Sequence, residues 1–171
     1  MDGDRFLADL AAWAESQQAA SAARSRSRRR WLRQQAAEGT TLAGTLLDLA
    51  ESSVPVSVYT AGGDCVHSGL LIAVGTRVCV LSCDQAFSVI ALSAITTVVP
   101  AGAGLGDRAP SLELDLAGVL AVIVVDRPSV QLQLVDGRTV CGVLEQVGQD
   151  VVTVSQPDAL IPTAAIAACR F

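Results

Sequence analysis

The sequence is poor in several residue types, and each shortage narrows the classes of protein to which the chain can belong. Its 171 residues include no lysine, one histidine, one methionine and only 4% aromatic residues. All 12 positive charges are arginine against 17 acids, a net charge of −5 that disfavours a uniformly basic nucleic-acid binder. Because 51% of the residues are hydrophobic and 17% are charged, the composition excludes a wholly disordered chain. The longest apolar run, Leu116 to Val125, is shorter than the roughly 18 residues that cross a bilayer, so we expect no membrane association.

The cysteines are few, odd in number and without a CxxC pair. The N-terminal segment MDGDRFLADL carries acids where a secretory signal would be basic. We therefore expect a cytoplasmic, reduced protein whose cysteines pack as small apolar side chains, with no metal ion and no cofactor. Cys79 and Cys83 are predicted on one face of a strand, but a single histidine leaves them short of zinc ligands. The five are Cys65, Cys79, Cys83, Cys141 and Cys169.

Positive charge is concentrated in the first 33 residues, which have a net charge of +3 while the remaining 138 have −8. Residues 4–37 contain neither glycine nor proline, and their composition predicts a long helix. This helix carries the strongest candidate for RNA contact, since arginines clamp phosphates and an indole stacks on a base. The alternative is that the arginines pair with the acidic remainder of the chain. The candidate residues are Arg24, Arg26, Arg28, Arg29, Arg30, Trp31 and Arg33, and Ser25 and Ser27 between them resemble a site for a basophilic kinase.

An internal repeat follows the predicted helix. The segment LAGTLL at 42–47 is repeated as LAGVLA at 116–121, and VSV at 56–58 as VQL at 130–132. After a one-residue slip, Gly69 matches Gly142, and the agreement continues through 78–82 with 151–155 and 89–90 with 160–161. Two tandem copies of one unit are therefore predicted.

Each copy has the pattern of a short helix followed by five short strands. Gly62-Gly63 and Asp136-Gly137 mark hairpin turns, and the glycine-rich segment around 100–110 is a linker. The predicted domains are an Arg-rich helix (1–39), a first domain (40–99), a linker (100–111) and a second domain (112–171). Units of this size are too small for a comfortable independent core, so we expect their cores to close across neighbouring units.

This pattern resembles the Sm/LSm small barrel, and the first copy is most similar to the bacterial Sm-like RNA chaperone Hfq. The segment VPVSVY at 54–59 is similar to the start of that family's first strand, and AITTVVP at 94–100 to its closing strand. Gly63 and Gly69 fall at its turn and strand-bend glycines. The resemblance implies a mainly β protein with helices: two tandem five-stranded bent barrels, each preceded by a short helix, after a long N-terminal helix.

The resemblance also implies a homo-oligomer and RNA as a partner. The family forms six-membered rings by pairing the open edges of neighbouring barrels and binds RNA on both ring faces, so two barrels per chain suggest a trimer forming a pseudo-hexameric ring. An unpaired strand edge invites the same pairing on physical grounds alone. The alternative is that the two barrels pair with each other and the chain remains a monomer or a dimer.

The family's RNA sites are poorly preserved. The Lys-His pair that reads uridine-rich RNA is replaced by Leu92-Ser93 and, in the second copy, by Thr163-Ala164. On the opposite RNA-binding face of the family's ring, Tyr59 is retained and could stack a base beside Gly63. The acidic Asp64 follows these residues where the family has apolar and basic neighbours. RNA contact on the repeats is therefore predicted only at Tyr59 and Gly63.

Nothing in the sequence predicts an enzyme. The single histidine, His67, is expected to be a surface or half-buried strand residue, and no two carboxylates have acid–base spacing. Two functions remain open: a non-catalytic Sm-like RNA-binding protein, or an Sm-like scaffold whose partners are other proteins.

Overall fold

The computed structural model describes residues 39–62, 66–102, 111–112, 115–156 and 158–171. The predicted helix over residues 4–37 and most of the predicted linker lie outside these residues. Residues 41–171 form one unit, and the account below concerns that unit.

Two short α-helices open the two halves of this unit, and each begins at a side-chain cap. Helix α1 (Leu42–Glu51) is capped by Thr41, whose hydroxyl accepts from the Gly44 N–H at 3.1 Å. Helix α2 (Leu116–Ile123) is capped by Asp115, whose carboxylate accepts from the Gly118 N–H at 2.9 Å. Each cap satisfies one of the first-turn N–H groups that no carbonyl within the helix can reach.

Eleven strands are described, and three short 3₁₀ segments separate some of them. The first half contains β1 (Pro55–Thr60), β2 (Val66–Gly75), β3 (Val78–Cys83), β4 (Ala86–Ala91) and β5 (Ile95–Pro100). Next come β6 (Ser111–Leu112), α2, and then β7 (Ser129–Leu134), β8 (Thr139–Val147), β9 (Val151–Ser155), β10 (Ala159–Pro162) and β11 (Ile166–Arg170). The 3₁₀ segments are Leu92–Ala94, Val124–Asp126 and Thr163–Ala165.

The predicted pair of five-stranded bent barrels is wrong. The described strands form a single open sheet in the order β10-β9-β8-β7-β11-β4-β3-β2-β1-β5, antiparallel throughout, with β6 pairing in parallel with β2. Closing either half would require its fourth strand to pair with its own fifth. Instead β4 pairs with β11 of the other half, so neither half closes on itself.

The order of strands repeats within this sheet. The first half (residues 41–102) runs β5-β1-β2-β3-β4, and the second half (residues 115–171) runs β11-β7-β8-β9-β10. We call β5 and β11 the leading edges of the two halves and β4 and β10 the trailing edges. The internal junction joins the trailing edge of the first half to the leading edge of the second.

Both faces of β3 are buried, and this explains why the halves do not stand apart. Cys79 and Leu81 lie in a core cluster with α1, whereas Val78 and Val80 belong to a second cluster with Leu120 and strands of the second half. A first half standing alone would expose those two valines to water. The second half covers them, so the hydrophobic core is continuous across the internal junction.

Helix α2 offers a matched test of this packing, because Leu120 is fully buried in the second cluster while Val122 is 64% exposed on the same helix. We expect Leu120→Ala to lower the free energy of unfolding by about 2–5 kcal/mol, since it removes buried methyl groups and leaves a cavity. Val122→Ala is the control and is expected to change it by less than about 0.5 kcal/mol. Urea denaturation followed by circular dichroism measures both; similar losses for the two variants would contradict the assigned core.

Candidate functional site

The internal junction joins the two halves of the described structure, and backbone hydrogen bonds form its framework. Strands β4 and β11 pair with Val89 opposite Cys169 and Ser88 opposite Arg170. Phe87 and Phe171 exchange two N–H···O bonds, of 2.9 and 3.1 Å. Their rings lie 5.9 Å apart between centroids, a separation typical of favourable aromatic pairs. Backbone and aromatic contacts thus fix the register of the two halves.

Apolar side chains interlock across the same junction. Val89 of β4 lies in the core cluster of the second half, while Ala168 of β11 lies in the core cluster of the first half. Each half therefore contributes to the other's core, and separating them would expose apolar surface on both sides.

A polar cluster, formed by Thr60, His67, Ser88 and Gln133, is buried at the junction. The Gln133 Oε1 accepts from the Thr60 hydroxyl at 2.9 Å and lies 3.2 Å from His67 Nε2. His67 Nδ1 lies 3.2 Å from the Ser88 Oγ. Three members belong to the first half and Gln133 to the second, so the cluster joins the halves through side chains.

The hydrogen bonds of the cluster assign the protons of His67. Because Gln133 Oε1 only accepts, Nε2 carries the proton, and Nδ1 of the neutral ring accepts from the Ser88 hydroxyl. Burial lowers the pKa of His67 below its usual value of 6.5, with repulsion from Arg170 acting in the same direction and the Gln133 hydrogen bond opposing both. Neutral His67 is therefore the form that the junction stabilises.

Ser88 and His67 are not a catalytic pair. A hydroxyl beside an imidazole is the arrangement that activates a serine nucleophile, but Ser88 is only 1% exposed. The partner on the far side of the ring is an amide, not the carboxylate that usually orients such a histidine. The cluster connects the two halves at the junction.

Two hairpin turns also meet at the junction. Gly62, after β1, and Gly137, before β8, both have positive φ, of +90° and +89°. A Cβ atom on Gly137 would overlap the carbonyl oxygen of Gly62, so the backbones can approach this closely only because both residues are glycine.

The buried thiols are unreactive. Burial raises the pKa of Cys79 to about 12, and that of Cys169 equally. Both therefore stay protonated and pack as small apolar groups, as the sequence predicts. The same prediction is wrong for Cys141, which is exposed, and Cys83 is half-buried. Among the residues that the structure describes, no three histidine, cysteine or acidic side chains are grouped to hold a metal ion.

Two open grooves border the junction, and each contains an arginine. A groove of about 560 Å³ is lined by Arg170, Phe171, Gln131 and Gln156, among others. A second, of about 310 Å³, is lined by Arg77, Ser93, Gln149 and Thr163, among others. Within the described ranges, no hydrogen bond in either groove joins a hydroxyl or thiol to a histidine or carboxylate, the pairing that activates a nucleophile.

The described surface is acidic. It carries nine carboxylates and four arginines, and two of these arginines already form exposed ion pairs. Arg127 pairs with Glu145 at 3.3 Å and Arg138 with Asp136 at 2.7 Å. Such a surface repels a phosphate backbone, so these residues provide little basis for RNA binding.

The structure reaches only one of the residues predicted to contact RNA. Tyr59 lies on β1 and is 37% exposed. Arg24, Arg26, Arg28, Arg29, Arg30, Trp31, Arg33 and Gly63 all lie outside the described residues. Stacking of Tyr59 on a base stays a prediction.

Sequence reasoning did not find the polar cluster, and its expectation for His67 is corrected. That residue is buried, neither on the surface nor half-buried. Its partner Gln133 is more than sixty residues away along the chain, so no local pattern marks the contact. The one available signal was a departure from the repeat, since polar residues in one copy occupy positions where the other copy has apolar residues.

The outer strand β10 and helix α1 carry exposed apolar side chains whose counterparts are buried. Leu160 on β10 is 75% exposed, while its counterpart Val89 on β4 is fully buried. Likewise Leu42 at the start of α1 is 42% exposed, and its counterpart Leu116 at the start of α2 is 8% exposed. Each half thus exposes one apolar side chain whose counterpart in the other half is covered.

Each free edge contains one proline. The N–H of Ala101 bonds to Pro55 and that of Thr163 bonds to Asp150, both toward the neighbouring strand of the sheet. Because donors alternate along a strand, the positions of Pro100 and Pro162 face outward. Proline has no N–H, so each free edge lacks one donor there.

Comparison with known proteins adds no family to this description: no family model matches the chain, and no curated protein matches it. Over the described ranges, no helix has the length and apolar character needed to span a membrane.

The polar cluster makes stability depend on pH. The unfolded His67 binds a proton near pH 6.5 while the folded one resists it, so acidification stabilises the unfolded state relative to the folded one. We expect the free energy of unfolding to fall as the pH is lowered through 6.5 toward 5 and to be level between about pH 7.5 and 8. At higher pH it falls again, because the unfolded thiols of Cys79 and Cys169 lose protons that the folded ones keep. The chain has one histidine, so urea titrations of the His67→Gln variant supply the control. An equal fall in that variant would assign the effect to other groups.

Proposed function

We propose that this protein is a non-catalytic, Sm-like assembly module whose copies join head to tail through the free edges of the sheet. The observation that carries the proposal is the internal junction, where a trailing edge and a leading edge of the same kind are already joined. The repeated helix-and-five-strand pattern supports the Sm-like assignment.

The register of the proposed contact between copies follows from the register of the internal junction. With β5 in the place of β11 and β10 in the place of β4, Val98 stands opposite Leu160 and Val99 opposite Ala159. Phe87 and Phe171 form a backbone hydrogen-bonded pair. Because such pairs recur every second residue along an antiparallel ladder, Val89 and Cys169 form one as well. Their counterparts are Leu160 and Val98, whose N–H groups both exist. The two edge prolines remove donors beside this pair but leave the pair itself intact.

A head-to-tail contact uses different surfaces on the two copies, so it produces either a closed ring or an open filament. We propose the closed form, with three chains and six halves. Every edge is then paired, which removes the open strands that would otherwise recruit further chains.

The mass of the full chain in solution tests the assembly. Light scattering is expected to give about 53 kDa, three times the chain mass of 17.6 kDa. The variant Leu160→Asp is expected to reduce this to a single chain, because it places a charge in the apolar contact. Val125→Asp is the control, since Val125 is 80% exposed and lies on no free edge. A wild-type mass of one chain would overturn the assembly, and a mass that grows beyond three chains as the concentration rises would overturn the ring.

Paired cysteines test which edges meet. Val99 and Ala159 occupy a non-hydrogen-bonded pair in the proposed register, where Cα atoms lie about 4.5 Å apart and a disulfide can form. Val99→Cys with Ala159→Cys is expected to give covalent dimers and trimers on oxidation. Val99→Cys with Leu160→Cys is out of register and is the control, and oxidised wild type accounts for the native thiols.

RNA binding is the second candidate, and the charge distribution is the observation that favours it. The first 33 residues have a net charge of +3 and the remaining 138 have −8. Any phosphate contact therefore depends on Arg24, Arg26, Arg28, Arg29 and Arg30. We expect A-rich and U-rich RNA to bind with steep salt dependence, which replacing these five arginines by alanine largely removes. Fluorescence anisotropy at two salt concentrations measures this. If no binding appears at low salt, the scaffold function stands alone.

A further inference from the structure

The junction within a chain and the proposed contact between chains use corresponding strands but present different side chains. At the internal junction, the second half contributes Gln133 from β7, the strand next to its leading edge, and Gln133 is 4% exposed within the polar cluster. The corresponding residue of the first half is Tyr59 on β1: it stands opposite the first residue of β2, as Gln133 stands opposite the first residue of β8. Tyr59 is 37% exposed, and the leading edge β5 beside it has no outer partner strand in the described chain.

The opposite sides of the two contacts differ in the complementary way. The first half presents His67 on β2, whose Nε2 lies 3.2 Å from Gln133, and Ser88 on its trailing edge β4, which contacts His67 on the other side of the ring. Cross-strand register identifies Val140 on β8 as the counterpart of His67, since His67 lies opposite Val58 and Val140 lies opposite Leu132. The counterpart of Ser88 is Ala159 on β10. Both counterparts are apolar and partly buried, so the second half has no side-chain donor or acceptor at these positions.

We propose that Tyr59 of one copy packs against Val140 and Ala159 of the next copy, in the place that Gln133 occupies inside the chain. This inference rests on the proposed head-to-tail assembly and specifies its contact. An aromatic side chain meets an apolar surface at the contact between chains, whereas an amide meets a histidine and a serine at the contact within a chain. Tyr59 is thereby assigned to assembly.

The difference in chemistry also discriminates between partners. If the leading edge of one second half met the trailing edge of another, Gln133 would be buried against Val140 and Ala159 without a hydrogen-bond partner. An unsatisfied buried amide costs about 1–3 kcal/mol, a factor of roughly ten to a hundred in affinity. The arrangement in which first and second halves alternate avoids this loss. The two junctions therefore cannot exchange partners without penalty.

Exchanging the side chains between the two junctions tests the proposal in the full chain. Tyr59→Gln is expected to weaken assembly roughly ten- to a hundredfold, because it buries an amide against apolar groups. Val140→His with Ala159→Ser is expected to weaken it as well, since Tyr59 offers these groups no amide oxygen. Combining all three substitutions recreates the Gln–His–Ser arrangement of the internal junction and is expected to restore assembly.

The control is Tyr59→Phe, which keeps the ring and is expected to assemble as the wild type does. Light scattering over a dilution series gives the midpoint of dissociation for each variant, and circular dichroism confirms that each is folded. If the wild type assembles and Tyr59→Gln has an unchanged midpoint, or if the triple variant is as weak as the partial ones, the contact is wrong although the assembly stands. If the wild type is a single chain, the proposed function itself fails and this inference fails with it.

Discussion

The architecture depends on one constraint: the fourth strand of the first half lies next to an apolar surface that the second half must cover. In the first half this strand is covered by β11, and the covering element also buries the outward-facing valines of β3. The continuous sheet, the shared core and the polar cluster all follow from this pairing. In the second half the same strand has no partner within the described chain, and Leu160 is left exposed.

The junction combines three interactions that differ in range and selectivity. Apolar burial across the clusters supplies most of the attraction but would accept many partners. The strand ladder restricts the partner to an edge in one register. The polar cluster adds the narrowest requirement, because a glutamine must meet a histidine and a threonine at hydrogen-bonding distance. Attraction and specificity therefore come from different residues of the same contact.

Local features of the sequence predicted the elements well, and the long-range pairing escaped them. Runs of valine and isoleucine between glycine turns predict first-half strands at about 66–74, 77–82, 87–91 and 94–99, and the observed strands lie within about one residue of these bounds. The sequence left open whether the two units pair with each other. It could not show that β4 prefers β11 to its own half, because that choice depends on covering Val78 and Val80 from outside. His67 was misplaced for a related reason, since its hydrogen-bond partner Gln133 belongs to the other half.

The prolines at the free edges set the order in which an assembly would come apart. Inside the chain, Phe171 donates a backbone hydrogen bond at the junction, whereas its counterpart Pro100 has no hydrogen to donate. The contact between chains also lacks a linking segment, so it pays a translational entropy that the internal junction avoids. Dilution would therefore release whole chains with their two halves still joined. In the proposed assembly, the tandem chain and not the single repeat would be the unit that exchanges.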